Sequence, residues 1–305
     1  MIYTVTFNPA IDYVMKVGNL DLGKVVRSSD EEIFFGGKGI NVSIILSRLE
    51  LKTKALGFIA GFTGEAIEKG VKNEGVETDF VKLDNGFSRI NVKIKTDVET
   101  DLNGQGPKIS QKKIDELFEK LNQLKSGDIL VLAGSIPDSL PEDIYEKILE
   151  KLSGRGIEFV VDATKDLLLN VLQYKPFLIK PNNHELSEIF GKELKTDKEI
   201  ADAAKVLQQR GAKNVLVSMA SKGAILVDEN KQVYKIGTTK GKVVNSVGAG
   251  DSMVAGFIAG YRQKNDYEYA LKLGSAAGEA TTFSEGLADK QTIDYRFKNL
   301  QPITK

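Results

Sequence analysis

The chain opens on Met1-Ile2-Tyr3-Thr4-Val5-Thr6-Phe7, an apolar run that predicts a strand over 1–7. Short alternating stretches continue past Gly18 and Gly23 to Phe35. Apolar positions at Ile40, Val42, Ile44, Ile45, Leu46 and Leu49 predict a helix over 38–49, and another is expected over 64–74. The run Ile90-Asn91-Val92-Lys93-Ile94-Lys95-Thr96 then alternates as a half-exposed strand does, with a partner strand reaching Leu102. Two alternating segments separated by a helical unit break a plain α/β rhythm. They predict a small sheet built from two excursions out of the main domain.

After Pro107 the rhythm is regular. Helices are expected over 110–124, 141–153, 165–173 and 197–210, leading to strands over 129–133, 159–161, 176–179 and 214–217. These strands are largely continuous apolar runs, so helices must cover both faces of a mainly parallel sheet, which defines an α/β fold. Ligands of such sheets bind beyond the carboxyl ends of the strands. That rule selects Asn8 and Asp12, Gly134 and Ser135, Asp162, then Lys180, Asn182 and Glu185, Ser218 and Gly223, and the turn over 246–251. No repeat or low-complexity tract is evident, and disorder is expected only in the tail over 301–305.

Composition narrows the chemistry. At 305 residues the chain is long enough for a full core, and 42 Lys+Arg against 42 Asp+Glu argue against a nucleic-acid or membrane-surface partner. The absence of cysteine excludes disulfides and thiolate metal sites, and the single histidine, His184, excludes an all-histidine zinc centre. His184 itself reads as a surface or helix residue. What remains is carboxylates, amines, backbone donors or a hard cation such as Mg²⁺. With no basic leader and no apolar run near the length of a membrane span, a cytoplasmic protein is expected.

Asn245-Ser246-Val247-Gly248-Ala249-Gly250-Asp251-Ser252 is followed by apolar residues at Met253, Val254, Phe257, Ile258 and Tyr261 with helical spacing. Gly248 and Gly250 leave the N–H groups of a turn uncovered where a helix N-terminus attracts an anion. Asp251 among those donors is expected to have its pKa held low and to accept a proton from a hydroxyl. An anion cradle beside a base is the chemistry of phosphoryl transfer to an alcohol. The same residues also suit a tight turn with an acidic first helical turn. Met253 breaks a GxGxxG fingerprint, and no Walker A pattern is present.

Phe34-Phe35-Gly36-Gly37-Lys38-Gly39-Ile40-Asn41-Val42-Ser43 enters the first helix with Lys38 and Asn41 on one face. Asn41 suits sugar hydroxyls and Lys38 a phosphate, although a glycine-rich helix entry with a solvated lysine has the same sequence. Arg89 stands two before Asn91 on one strand face, and a guanidinium fits phosphate in a bidentate manner. Arg27 lies in the other excursion, and an exposed arginine on a sheet is ordinary. In Lys180-Pro181-Asn182-Asn183-His184-Glu185, Asn182 and Glu185 can converge on hydrated Mg²⁺ while Lys180 meets nucleotide phosphate. Asn182 can equally cap a helix, with Glu185 completing a capping box.

The two signatures, Gly36–Ser43 near the start and Asn245–Asp251 near the end, resemble those of the phosphofructokinase B family of sugar kinases, within the ribokinase-like superfamily. Asn8-Pro9-Ala10-Ile11-Asp12, the stretch from Phe87 to Lys93, Asn103-Gly104-Gln105-Gly106-Pro107 and Asn245 resemble the members that act on ketohexose phosphates. The resemblance implies a three-layer sandwich over 1–305 with a mainly parallel sheet, a β-sheet lid from about 12–35 and 87–106, and a homodimer through the lid. It implies ATP-dependent phosphorylation of D-fructose 1-phosphate at C6, with tagatose 6-phosphate the runner-up substrate. Asp251 would be the base, and the backbone of Gly248, Ala249 and Gly250 with Asp251 the anion hole. Asp12, Gly37, Lys38, Asn41, Arg89, Asn91 and Ser135 would hold the phosphosugar. Lys180, Asn182, Glu185, Ser218, Gly223 and Ser246 would serve ATP and Mg²⁺, Glu185 through water.

Two departures stand out: Glu50 where relatives usually have glycine, and Ala60 in place of a frequent glycine. Of the other function classes, a nicotinamide dehydrogenase would need a glycine fingerprint where Asn8-Pro9-Ala10 stands. A silent sugar-phosphate sensor would have no need of Asp251 and Glu185.

Overall fold

The computed structural model describes residues 1–241 and 243–305. The strand β1 (Ile2–Thr6) is followed by β2 (Ala10–Lys16), β3 (Asp30–Gly36), α1 (Lys38–Arg48), β4 (Thr53–Ala60) and α2 (Gly61–Asn73). The short β5 (Glu77–Thr78) and β6 (Val81–Leu83) lead to β7 (Arg89–Lys95) and β8 (Glu99–Asn103). Then come α3 (Gln111–Leu121), β9 (Ile129–Ala133), α4 (Ile144–Leu152), β10 (Glu158–Asp162), α5 (Lys165–Val171) and β11 (Leu178–Ile179). Next are α6 (Asn183–Phe190), α7 (Asp197–Gln209), β12 (Asn214–Ser218), β13 (Ala224–Val227) and β14 (Val233–Ile236). The helices α8 (Ala249–Lys264), α9 (Tyr267–Thr282) and α10 (Lys290–Asn299) close the chain.

Ten strands form the central sheet in the order β14-β13-β12-β11-β10-β9-β1-β4-β5, with β6 also pairing to β4. The pairs from β12 to β5 are parallel, and β13 pairs antiparallel with both β12 and β14. Its central strands are apolar on both faces because both are covered. Val5, Leu132 and Val161 pack in a core with residues of α3 to α7. Ile2, Val131 and Val160 pack on the other side with residues of α1, α8, α9 and α10. A mainly parallel, helix-covered sheet with a smaller separate sheet is the architecture the apolar pattern predicts.

The smaller sheet has the order β3-β2-β7-β8 and is drawn from both excursions. It leaves the main domain at the carboxyl end of β1, where ligands of a parallel sheet bind. Asp12 pairs in register with Phe34 on one side and Asn91 on the other. The pleat therefore puts Asp12, Arg89, Asn91 and Lys93 on one face. A row of Ile33, Tyr13, Val92 and Leu102 crosses all four strands on the other.

Several elements differ from expectation. β4, β13, β14, α9 and α10 are not anticipated by the sequence reading, and the strand expected over 176–179 is only Leu178–Ile179. Pro176 has no N–H to offer a ladder. Glu50 adopts φ 65, the left-handed conformation that suits glycine. Ala60 is extended at φ −145, where glycine has no advantage.

Candidate active site

The turn before α8 is held by one side chain. Asn245 Nδ2 donates to the Glu285 carbonyl at 2.8 Å, and its Oδ1 accepts from the Val247 N–H at 2.9 Å. Gly248 then takes φ 78 as the N-cap of a 16-residue helix. Ala249 N–H makes a long 3.4 Å bond to the Ser246 carbonyl. Among the described residues the N–H groups of Gly250 and Asp251 donate to no protein acceptor, so two bare amides stand at the positive end of α8.

Asp251 is 5% exposed, and its Oδ2 accepts from Asn41 Nδ2 at 2.8 Å. Asn41 reaches it because α1 enters tightly against β1. A Cβ at Gly39 would lie 2.6 Å from Thr6 Oγ1 and 2.7 Å from the Val5 carbonyl, so only glycine lets this helix start there. Thr6 Oγ1 in turn accepts from the Ile40 N–H at 3.0 Å.

Asp162, the last residue of β10, holds two cations. Lys38 Nζ lies 3.3 Å from its Oδ2, and Lys180 Nζ lies 3.3 Å from its Oδ1. Lys180 is 6% exposed, and its Nζ is 3.3 Å from the point a Cβ on Gly250 would occupy. An ammonium therefore stands beside the bare amides.

The electrostatics correct one expectation. Burial pushes the Asp251 carboxyl up to about 6 from an ordinary 3.8, with the nearby Asp162 adding to the effect. Lys38, Asn41 and Lys180 only partly offset it. Helix donors would hold this pKa low, as the turn sequence leads one to expect, but the side chain is desolvated, and Asn41 is the side-chain donor it meets. Asp162 behaves oppositely: burial works against its charge, yet Lys180 and Lys38 outweigh it and its pKa is lowered. Burial also works against the charge of Lys38, and Asp162 and Asp251 overcome it, so that pKa is raised.

These groups line a cavity of about 450 Å³ between the two sheets. From the main domain Gly37, Lys38, Asn41, Asp162, Lys180, Asn182, Glu185, Ser218, Ser246, Gly248, Gly250 and Asp251 contribute. From the small sheet come Asp12, Arg89, Asn91 and Lys93. Asp12 Oδ1 accepts from Asn91 Nδ2 at 2.7 Å, while Asn91 Oδ1 is buried with no partner among the described residues. Arg89 Nε donates to the Asn8 carbonyl at 3.1 Å. Among the described residues it alone of the cavity's cations has no carboxylate within ion-pair distance, the others pairing with Asp162 or Asp101.

Other expected positions lie elsewhere. Ser135 is exposed and outside the cavity lining, as is Arg27. Gly223 also lies outside it; a Cβ there would sit 1.9 Å from the Ile236 carbonyl at φ 90, so the β13–β14 pairing accounts for this glycine. Ala249 begins α8 between two lining glycines. His184 is exposed on α6. Asn182 and Glu185 do form a capping box, Asn182 accepting from the Glu185 N–H and Glu185 Oε2 from the Asn182 N–H, both at 2.8 Å. The cap aims both residues at the cavity without closing it.

Two residues escaped assignment from sequence. Asp162 was selected only as a strand end, and nothing local marks it as the holder of two lysines from distant segments. Lys93 could have been found, because it continues the two-residue spacing of Arg89 and Asn91 on one strand face.

Among the described residues no group of three or more His, Asp or Glu side chains could hold a metal ion. The donor set fits a cation carried by phosphate oxygens and touched by Glu185 through water, since Oε2 alone is taken by the cap. No helix is long and apolar enough to cross a membrane among the described residues.

A profile of the pfkB family carbohydrate kinases matches residues 5–293. Over 293 residues the chain is 48% identical to the 1-phosphofructokinase of Bacillus subtilis (strain 168), covering 96% of each chain. It is 39% identical to the D-tagatose-1-phosphate kinase of Bacillus licheniformis over 302 residues, covering 99% of each. The phosphofructokinase-2 of Escherichia coli, solved in complex with substrates and products, superposes with a TM-score of 0.92 at 26% identity, over 98% of this chain and 99% of that one. A cavity that brings a buried carboxylate, bare amides and lysines together thus lies in a chain matched almost end to end. The protein belongs to the pfkB family of carbohydrate kinases.

Proposed function

We propose that the protein is a 1-phosphofructokinase, transferring the γ-phosphoryl group of ATP to the C6 hydroxyl of D-fructose 1-phosphate to give fructose 1,6-bisphosphate. The observation that carries the reaction class is the buried Asp251 beside the free Gly250 and Asp251 amides and the Lys180 ammonium. The sugar oxygen attacks phosphorus in line, the bond from phosphorus to the bridging oxygen of ADP breaks, and the hydroxyl proton passes to Asp251. The amides and Lys180 sit where negative charge collects on the moving group. Lys38 faces the same region, tied through Asp162. Mg²⁺ bound with the nucleotide would neutralise its phosphates, with Glu185 as the outer ligand.

The lid side suits a phosphorylated sugar. The buried, unpartnered Asn91 Oδ1 calls for a hydroxyl donor, Asp12 offers further acceptors, and Arg89 has guanidinium nitrogens free for phosphate. Gly37 and Asn41 complete the sugar wall, and Asn182, Ser218 and Ser246 the nucleotide wall. The small sheet acts as a lid whose closure excludes water from the transfer. Its apolar row ends in Ile33 and Leu102, each 57% exposed, which supports pairing of two lids in a homodimer. Both substrates are charged phosphates that membranes retain, so the reaction belongs in the cytoplasm.

The choice of ketohexose rests on the 48% identity to a 1-phosphofructokinase. The 39% likeness to a D-tagatose-1-phosphate kinase favours tagatose 1-phosphate as the second reading. Comparing kcat/KM for fructose 1-phosphate, tagatose 1-phosphate, fructose 6-phosphate and tagatose 6-phosphate tests it. Fructose 1-phosphate is expected to lead, and a preference for either 6-phosphate would refute the assignment.

A further inference from the structure

We infer that Lys93 is a ligand of the phosphate already on the sugar and sets the preference for a phosphorylated substrate. This rests on the kinase reading above. Lys93 is only 9% exposed, yet it lines the reaction cavity and also a second cavity of about 540 Å³ that shares Asp12 and Asn41 with it. Removing an ammonium from water is unfavourable unless a charge meets it. Among the described residues its one carboxylate partner is Asp101, directly across on β8 at 3.1 Å, whose own side chain is 41% exposed. The pair is thus lopsided: the cation is nearly buried and lines the cavity, while its counter-charge is partly exposed.

Charge in the cavity assigns the cation a use. Lys38 and Lys180 share one carboxylate, Asp162, on the main-domain wall, so their charge is already partly met there. The phosphate on the sugar carries about two further negative charges. Among the described residues the cations on the lid wall are Arg89 and Lys93. They stand about 13 Å apart along β7 with the shorter Asn91 between them, and both side chains are long enough to meet a group lying over it. A guanidinium by itself leaves a dianion under-neutralised, and Lys93 supplies the second charge after leaving Asp101.

An ion pair that merely steadies the lid makes different predictions, and two variants separate them. Lys93→Met removes the cation, whereas Asp101→Asn removes the pair and keeps the cation. Kinetics with fructose 1-phosphate, with unphosphorylated fructose at high concentration and with ATP give the readout. Lys93→Met is expected to raise KM for fructose 1-phosphate about 10- to 100-fold, leaving KM for ATP and kcat/KM for fructose within about twofold. Asp101→Asn should keep KM for fructose 1-phosphate near wild type, and Lys93→Arg should recover most of the loss. An unchanged KM in Lys93→Met, an equal loss with fructose, or an equal loss in Asp101→Asn would each overturn the inference while wild-type turnover left the kinase reading intact. Wild-type protein that phosphorylates no ketohexose phosphate would refute both.

Discussion

Replacing Asp251 with Asn removes a charge from a place that resists it. Burial and Asp162 move this carboxyl from 3.8 to about 6. At 1.36 kcal/mol per tenfold change in proton concentration, the native fold favours the protonated form by about 3 kcal/mol. The native state therefore holds this proton more tightly than the unfolded chain does. The stabilisation is fully present below about pH 4 and is lost as pH rises through about 6. The ionised base that the reaction needs is the less stable form of the fold. Asp251→Asn keeps the shape and has nothing to titrate, so its stability relative to wild type should climb by up to about 3 kcal/mol between pH 4 and 7 and then level off. Its kcat should fall about 10²-fold or more, with KM for the sugar largely kept. Urea unfolding of both proteins across that range, beside a coupled ADP-release assay, provides the test. Wild-type kcat/KM should fall below about pH 6. A limb near pH 4, or a stability difference independent of pH, would refute the reasoning.

Gly250→Ala places a Cβ 3.3 Å from Lys180 Nζ, an ammonium that Asp162 holds in place, and should lower kcat about tenfold with little change in sugar KM. Unchanged kcat would remove Lys180 from the phosphoryl site. Asp162→Asn deletes the neighbouring charge that helps raise Asp251, so the acid limb of kcat/KM should move to lower pH, and an unmoved limb would contradict the coupling. Gly223→Ala should lower stability by about 2 kcal/mol or more, because its Cβ meets the Ile236 carbonyl at 1.9 Å, while KM for ATP stays put. A raised KM at unaltered stability would return Gly223 to the nucleotide site.

What the sequence makes legible is what repeats locally. The strands over 129–133 and 214–217 are unbroken apolar runs, and the glycine-rich entries at 36–39 and 248–250 are short, dense signals. The missed helix α9 packs on α8 with almost no side-chain gap: a Cβ at Gly256 would lie 2.6 Å from the Leu273 carbonyl, and one at Gly274 2.8 Å from the Met253 carbonyl. Helices that meet through glycine and alanine are buried widely and show little amphipathic period. β4 hides for a related reason. Gly57 interrupts its apolar run because β1 comes so close that a Cβ would meet the Thr6 carbonyl at 1.9 Å. In the site, Asp251, Asn41 and Lys180 could be named from local motifs. The raised pKa of Asp251 could not, since it arises from burial and from Asp162, 89 positions earlier in the chain.

The central claim is that the bare amides of Gly250 and Asp251, with the carboxylate beside them, are where phosphorus moves from nucleotide to sugar. A crystal structure with a non-hydrolysable ATP analogue and fructose 1-phosphate tests it most directly. The account predicts the terminal phosphate on those two amides and Lys180, with the sugar C6 hydroxyl within hydrogen-bond reach of Asp251. A terminal phosphorus bound away from the start of α8, or a C6 hydroxyl turned from Asp251, would contradict it.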